Sequence, residues 1–331
     1  MTDGTARRSI GRRIAIGVLA LLAAAGLGLW LWKPWMPAVQ LAEPGPTGQR
    51  VARDGLLGNF YPAPARIPGP GVLLLGGSEG GLGRGGTALA KGLQAAGFSV
   101  LHLSYFRGPG QPRALRHAPL ETFDRALAWL SRQPGVDGTR LAVVGSSKGA
   151  EAALLIATRH PELRATVAAM PSSVVWPGVD WEYRFGSGEG SSWSAGARPV
   201  PFLPYGDFDF AKGIRSRYEN GLARLARHPE AIIPIEKARG ALLLVCGEAD
   251  ALWPACPMAR QITARAASNG RPNVRLLAYP QAGHAVFGMP LPAGSPARAR
   301  LGRTGGTAEG NGAAREDAWP KVVAFIREQT T

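Results

Sequence analysis

The chain has 331 residues, 45% of them hydrophobic and 18% charged, enough apolar material for one large core. Its net charge is +15, yet the arginines are scattered and not gathered in a stripe interleaved with aromatics, which argues against nucleic acid as a partner. Two cysteines, Cys246 and Cys256, are too few for a disulfide framework, and the cysteine–histidine clusters of a zinc site are missing, so no metal or other cofactor is expected.

The N-terminus carries the address. Arg7, Arg8, Arg12 and Arg13 precede Ile14 to Trp32, nineteen uncharged residues. As a helix this run would be about 28 Å long, close to the hydrocarbon thickness of a bilayer. Trp30, Trp32 and Trp35 with Lys33 then form an interfacial belt. The spacing predicts a transmembrane signal anchor over 14–32, a cytoplasmic segment 1–13, and the rest of the chain outside the cytoplasm. A cleaved signal peptide ending near Ala23 to Ala25 is the rival reading, and Arg12-Arg13 raises a twin-arginine variant of it. Residues 33–49 are rich in Pro, Gly and Ala and read as a linker lifting the domain from the membrane.

From residue 50 the chain alternates strands and helices, the pattern of an α/β doubly wound, mostly parallel sheet. Val51 to Tyr61 predicts an antiparallel edge hairpin. Val72 to Leu75 is a strand ending in Gly76-Gly77-Ser78-Glu79-Gly80-Gly81, and Leu89, Leu93 and Ala96 have helical spacing. A strand over Phe98 to Ser104 and an amphipathic helix over Thr122 to Arg132 lead to Leu141-Ala-Val-Val-Gly145-Ser146-Ser147-Lys148-Gly149. There an apolar strand meets G-x-S-x-G and a helical pattern, the context of a nucleophile elbow. Ala165 to Met170 reads as a further strand.

Residues 171–236 break the rhythm. Trp176, Trp181, Tyr183, Trp193, Phe202, Tyr205, Phe208 and Phe210 stand among glycines and prolines, the mark of a lid over the site or of an aromatic-stapled surface insertion. Regular pattern returns with Ala241 to Cys246, followed at the strand exit by Asp250, and with Val274 to Tyr279, followed by Gly283-His284. Pro290 to Ala314 is low in complexity and reads as a mobile loop. Trp319 to Gln329 predicts a closing helix.

Singly, each signal has a bland rival: a chance G-x-S-x-G, a turn aspartate, a structural histidine such as His102, His117, His160 and His228 are expected to be. Together they stand at strand exits in the order Ser…Asp…His of an α/β-hydrolase. Ser147 is the candidate nucleophile, His284 the base and Asp250 the acid, with oxyanion donors from Lys148 and the Gly77-Ser78 loop. The substrate is then a small-molecule acyl ester or thioester. An acyltransferase or peptidase with the same three residues, and a non-catalytic membrane-tethered binding protein, are the alternatives. Lys148 and Glu151, one helical turn apart, are expected to pair and order the elbow. Whether Cys246 and Cys256 pair, as an oxidising compartment permits, is left open.

Taken together, Leu75-Gly-Gly-Ser-Glu-Gly-Gly81, Leu103-Ser-Tyr-Phe106, Gly145-Ser-Ser-Lys-Gly-Ala-Glu151, Ile233-Pro-Ile-Glu-Lys237, Gly247-Glu-Ala-Asp-Ala-Leu-Trp-Pro254, Ala282-Gly-His284 and Asp317-Ala-Trp319 resemble the C-terminal domain of bile acid-CoA:amino acid N-acyltransferases and acyl-CoA thioesterases. The resemblance runs from about residue 48 onward. It implies an α/β-hydrolase fold with Ser147, Asp250 and His284 as nucleophile, acid and base. Two departures matter. The N-terminal β-sandwich of the mammalian members is replaced by the anchor and linker, and amino-acid-conjugating members carry cysteine where this chain has Ser147, which favours hydrolysis.

Overall fold

A computed structural model describes residues 3–33, 35–64, 67–182, 187–271 and 273–331. Tyr183 of the expected lid, Pro34 of the expected linker and the side chains of Arg7 and Arg8 lie outside what is described.

Helix α1 covers Asp3–Trp32. Its stretch Arg12–Trp32 has mean hydropathy 2.4 and no buried part, so by length and composition it can cross a membrane. The apolar runs of the sequence then become one eight-stranded sheet. Its strands are β1 (Gln49–Arg53), β2 (Leu56–Tyr61), β3 (Gly69–Leu75), β4 (Ser99–Ser104), β5 (Val136–Ser146), β6 (Ala165–Ala169), β7 (Ala241–Gly247) and β8 (Val274–Tyr279), in the order β1-β2-β4-β3-β5-β6-β7-β8. The first two form the edge hairpin and pair antiparallel, with β2 antiparallel to β4; every other pairing is parallel. Parallel strands are covered on both faces, which explains why β6 and β7 are buried along their whole length.

The connecting helices are α2 (Arg84–Ala95), α3 (Glu121–Leu130), α4 (Lys148–Arg159) and α5 (Ala255–Ser268), and α6 (Ala308–Gln329) closes the chain. In α3 the i, i+3, i+4, i+7 set Phe123, Ala126, Leu127 and Leu130 is buried, as its periodicity requires. Helices α2 and α6 abut where Gly92 faces Met289 and Trp319. Because consecutive parallel strands run the same way, the exits of β3, β5, β7 and β8 gather at one rim of the sheet.

Two expectations change, and one point left open is answered. Pro290 to Ala314 is not a loose loop. It holds a short helix, Pro296–Ala299, and a turn, Leu301–Thr304, and α6 begins at Ala308, eleven residues before the expected start at Trp319. Thr307 caps α6 by accepting the Gly310 N–H. Second, the described part of the linker does not hang free. Arg107 donates to Pro37 O, Leu82 N–H to Gln40 O, and Ala42 N–H to Leu82 O, so this segment is laid along the domain. Third, the two cysteines are joined, Cys246 at the end of β7 to Cys256 at the start of α5, with Cα atoms 5.2 Å apart.

The aromatic segment 171–236 is woven into the domain. Trp193–Ala195 pairs in parallel with Ala118–Pro119, Pro177–Val179 pairs with Ser187–Ser191, and one helix spans Arg215–Leu222. Trp176 and Trp193 are wholly buried, whereas Phe210 is 91% exposed.

Candidate active site

The elbow stands between β5 and α4. Ser147 has φ 55° and ψ −119°, a conformation that costs a non-glycine residue energy and aims its side chain out of the turn. The flanking glycines are there for space. A Cβ at Gly145 would lie 2.0 Å from Gly149 O, and one at Gly149 would lie 2.3 Å from Gly76 O. Ser147 N–H donates to Ala169 O at 2.8 Å and fixes the turn to β6. Lys148 is the first residue of α4, so its N–H has no acceptor within the helix.

Beneath the elbow lies a buried ion pair. Lys148 Nζ meets both carboxylate oxygens of Glu151 at 3.0 and 2.9 Å, with side chains 3% and 0% exposed. Glu151 also accepts Trp193 Nε1 at 2.7 Å and Trp176 N–H at 3.2 Å. Burial pushes the Glu151 pKa up and the Lys148 pKa down, while their mutual attraction opposes both shifts. The pair ties the elbow helix to the aromatic segment through two tryptophans. The pairing expected of Lys148 and Glu151 is present.

Asp250 and His284 are brought together from the exits of β7 and β8. His284 Nδ1 lies 2.7 Å from Asp250 Oδ2, and Asp250 is 1% exposed. The other oxygen, Oδ1, accepts the N–H groups of Leu252 at 2.8 Å and Trp253 at 3.2 Å, so the carboxylate is held in one orientation. A carboxylate on Nδ1 fixes the imidazole tautomer and leaves Nε2 to face outward. Among the described residues no hydrogen bond joins Ser147 to His284.

The histidine loop is secured by a residue that sequence reasoning missed. Asn311, fully buried at the start of α6, accepts the Gly283 N–H at 3.0 Å and donates to the carbonyls of Leu301, Gly305 and Thr307. Bridges Asp250↔Gly305 and Ala282↔Gly306 lace the same segment to the loops of Asp250 and His284. The only sequence signal was an asparagine between two glycines in a stretch that looked formless.

The glycine loop after β3 differs from expectation in one respect. Gly77, a candidate oxyanion donor, gives its N–H to Glu79 Oε1 at 3.0 Å, and a Cβ on Gly77 would lie 3.2 Å from Ser147 Cβ. A carboxylate thus stands beside Ser147, on the N–H that the sequence offered as an oxyanion donor. Ser78, the other loop candidate, has its carbonyl bound by Trp181 Nε1 at 2.6 Å. Tyr105 hydroxyl donates to Gly76 O at 2.7 Å and braces the loop from below. Glu79 also lines a cavity of about 230 Å³ with Gly76, Ser146, Phe287, Met289 and Arg315. Arg315 gives its Nε–H to the Ala285 carbonyl, with no carboxylate partner among the described residues, and burial alone brings its pKa down to about 10.

The aromatic segment reaches the histidine by ring contacts. Trp176 stacks on Tyr205, Tyr218 meets both edge-on, Trp253 meets Tyr218 at 5.6 Å, and His284 lies 5.9 Å from Trp253. Desolvation lifts the Tyr218 pKa to about 12 and keeps its phenol neutral. Of the remaining histidines, His160 sits between Asp124 and Glu162 at 2.7 Å each, and His102 is buried in β4. No group of three or more potential metal ligands occurs among the described residues.

Comparison with known proteins shows the family and the fold. The profile of BAAT / acyl-CoA thioester hydrolase C-terminal domains matches residues 118–331. The chain belongs to that family. Curated relatives include acyl-coenzyme A amino acid N-acyltransferase 2 of Rattus norvegicus, 28% identical over 295 residues, covering 87% of this chain and 66% of that protein. Acyl-coenzyme A thioesterase 6 of Mus musculus is 26% identical over 295 residues, covering 86% and 66%. The chain thus spans just under two thirds of the length of these relatives. Among solved structures, a dienelactone hydrolase of Klebsiella pneumoniae aligns with TM-score 0.51 and 18% identity over 85% of this chain and 97% of its own. An esterase of Pyrococcus furiosus aligns with TM-score 0.53 and 14% identity over 89% and 98%. Both fix the fold as an α/β-hydrolase.

Proposed function

We propose that the chain is a serine hydrolase of carboxylic esters or thioesters, held by α1 at a membrane with its hydrolase domain outside the cytoplasm. The observation that carries this reading is the 2.7 Å contact of His284 Nδ1 with Asp250, on the rim where Ser147 is held in a strained turn. His284 takes the proton of Ser147 as Oγ attacks the acyl carbonyl, and Asp250 stabilises the imidazolium that forms. Lys148 N–H receives the oxyanion, joined by Gly77 N–H once Glu79 swings away. The leaving group departs with the proton from His284, and water activated by the same imidazole releases the acid.

Residues 171–236 serve in this reading as the lid, its aromatic rings reaching Trp253 and His284. The names of the thioesterase relatives support a thioester among the substrates, and Ser147 in place of cysteine supports water as the acceptor. The Cys246–Cys256 disulfide supports an oxidising compartment, and Arg12 and Arg13 before the apolar run support a cytoplasmic N-terminus. A second reading, acyl transfer to an amino acid, draws on the relatives named N-acyltransferases. It is favoured by the cavity beside Ser146, where Glu79 and Arg315 offer opposite charges to an ammonium and a carboxylate.

The test is turnover of p-nitrophenyl esters and acyl-CoAs of graded length, with and without added amino acids. Asp250→Asn should lower kcat by about 10³–10⁴ with little change in folding. Equal activity in wild type and Asp250→Asn would remove the proposed role of the dyad.

A further inference from the structure

Lys33, the first residue after α1, forms an ion pair with Glu182. Glu182 in turn lines a cavity of about 400 Å³, together with Met36, Val39, Arg107, Pro109 and Trp181. That volume falls within the range of ordinary ligand pockets. Trp181 forms its inner wall and donates its indole N–H to Ser78 O at 2.6 Å. Ser78 adjoins Gly77, which stands against Ser147. Through Trp181 the cavity thus adjoins the loop that borders Ser147.

The tether sets where the cavity opens. Met36 follows Trp32, the last residue of α1, by four residues, which reach about 14 Å at full extension. The chain has no slack beyond that point, because Pro37 O is held by Arg107 and the Gln40 side chain by Arg84 N–H. With α1 in a bilayer, the cavity mouth therefore lies at headgroup level. A hydrocarbon chain leaving the lipid there meets Met36, half-exposed Val39 and the indole of Trp181 before it meets water.

We infer that the substrate is a membrane-resident acyl ester, which reaches Ser147 from the bilayer with its hydrocarbon chain in the cavity between residues 36–39 and Trp181. This rests on the serine-hydrolase reading and on α1 as an anchor. The lipid's acyl carbon bonds to Ser147 Oγ, its alcohol leaves with the proton from His284, and water then frees the fatty acid.

The test uses the full chain in phosphatidylcholine vesicles, with 4-methylumbelliferyl oleate dissolved in the bilayer and 4-methylumbelliferyl acetate in the water. Val39→Trp fills the cavity and should lower oleate turnover at least about tenfold while acetate turnover stays within about twofold. A Gly/Ser spacer of about 20 residues inserted after Trp32 has a root-mean-square span of about 25 Å and should have the same selective effect. The spacer lies outside the domain, so it decides the matter if Val39→Trp fails to fold. Parallel changes for both esters, or no change for either, overturn the inference and leave the hydrolase standing. A folded protein inactive on both esters overturns the hydrolase reading, and a chain that does not float with the vesicles overturns the anchor; either one takes this inference with it.

Discussion

Glu79 accepts the N–H of Gly77 at 3.0 Å, and Gly77 is the residue whose backbone faces Ser147 across the elbow. A carboxylate in that position competes with a developing oxyanion for the same donor and opposes its charge, an effect that solvent weakens because Glu79 is exposed. Replacing it with a neutral amide, Glu79→Gln, should raise kcat on a small neutral ester by a few-fold, read in a plain chromogenic assay. A loss of about 10² or more, the effect of removing an oxyanion donor, would mean instead that the carboxylate serves the chemistry.

The ion pair under the elbow gives a prediction about stability. Glu151→Ala leaves Lys148 buried and unpaired, and should lower the unfolding free energy by about 3–5 kcal/mol in denaturant titration. The double substitution Lys148→Met with Glu151→Leu removes both charges and should cost clearly less than Glu151→Ala alone. If the single and double variants were equally unstable, the loss would lie in packing against Trp176 and Trp193 and not in the stranded charge.

His102 makes the fold acid-sensitive. Burial, with Arg50 nearby as a lesser cause, lowers its pKa to about 4 from an ordinary 6.5. A depressed histidine pKa means that the unfolded chain binds the proton more readily. The stability tied to neutral His102 is therefore complete above pH 6.5 and is lost as pH falls through 4. Its full size is about 3 kcal/mol. Urea titrations at pH 7 and pH 4 should show this loss, and His102→Leu should flatten that part of the profile. An unchanged slope in His102→Leu would show that other groups carry the acid sensitivity.

The disulfide brackets the loop that presents Asp250. Joining residues ten apart restrains the unfolded chain by about 2–3 kcal/mol in the loop-entropy account. The double variant Cys246→Ala with Cys256→Ala should unfold at correspondingly lower denaturant. It should also lose kcat more than KM, since the loosened segment carries the acid and not the substrate pocket. A variant of normal kcat would show that the hydrogen bonds from Leu252 and Trp253 hold Asp250 unaided.

Much of the rim was legible in the sequence, for a physical reason. Strands of a parallel sheet are buried on both faces, so β3, β7 and the Leu141–Val144 part of β5 stand out as apolar runs, and the residues just past their ends become candidates. The elbow glycines announce themselves because no side chain fits where their backbones meet. What stayed hidden depends on contacts far apart in the chain. Residues 290–314 look formless, yet Asn311 and two backbone bridges bind them to the loops of Asp250 and His284. The docking of residues 37–42 on the domain rests on main-chain hydrogen bonds, which leave no compositional trace. Glu79 on Gly77 N–H, and Arg315 across the neighbouring cavity, are likewise invisible without the fold.

The central claim is that Ser147 is the nucleophile made reactive by His284 and Asp250. Incubation of the folded full chain with a fluorophosphonate, followed by peptide mass mapping, tests it most directly. One adduct on the peptide carrying Ser147 is predicted, absent in Ser147→Ala and much slowed in His284→Ala. A folded protein that takes up no label, or carries it on another serine with Ser147 untouched, would contradict it.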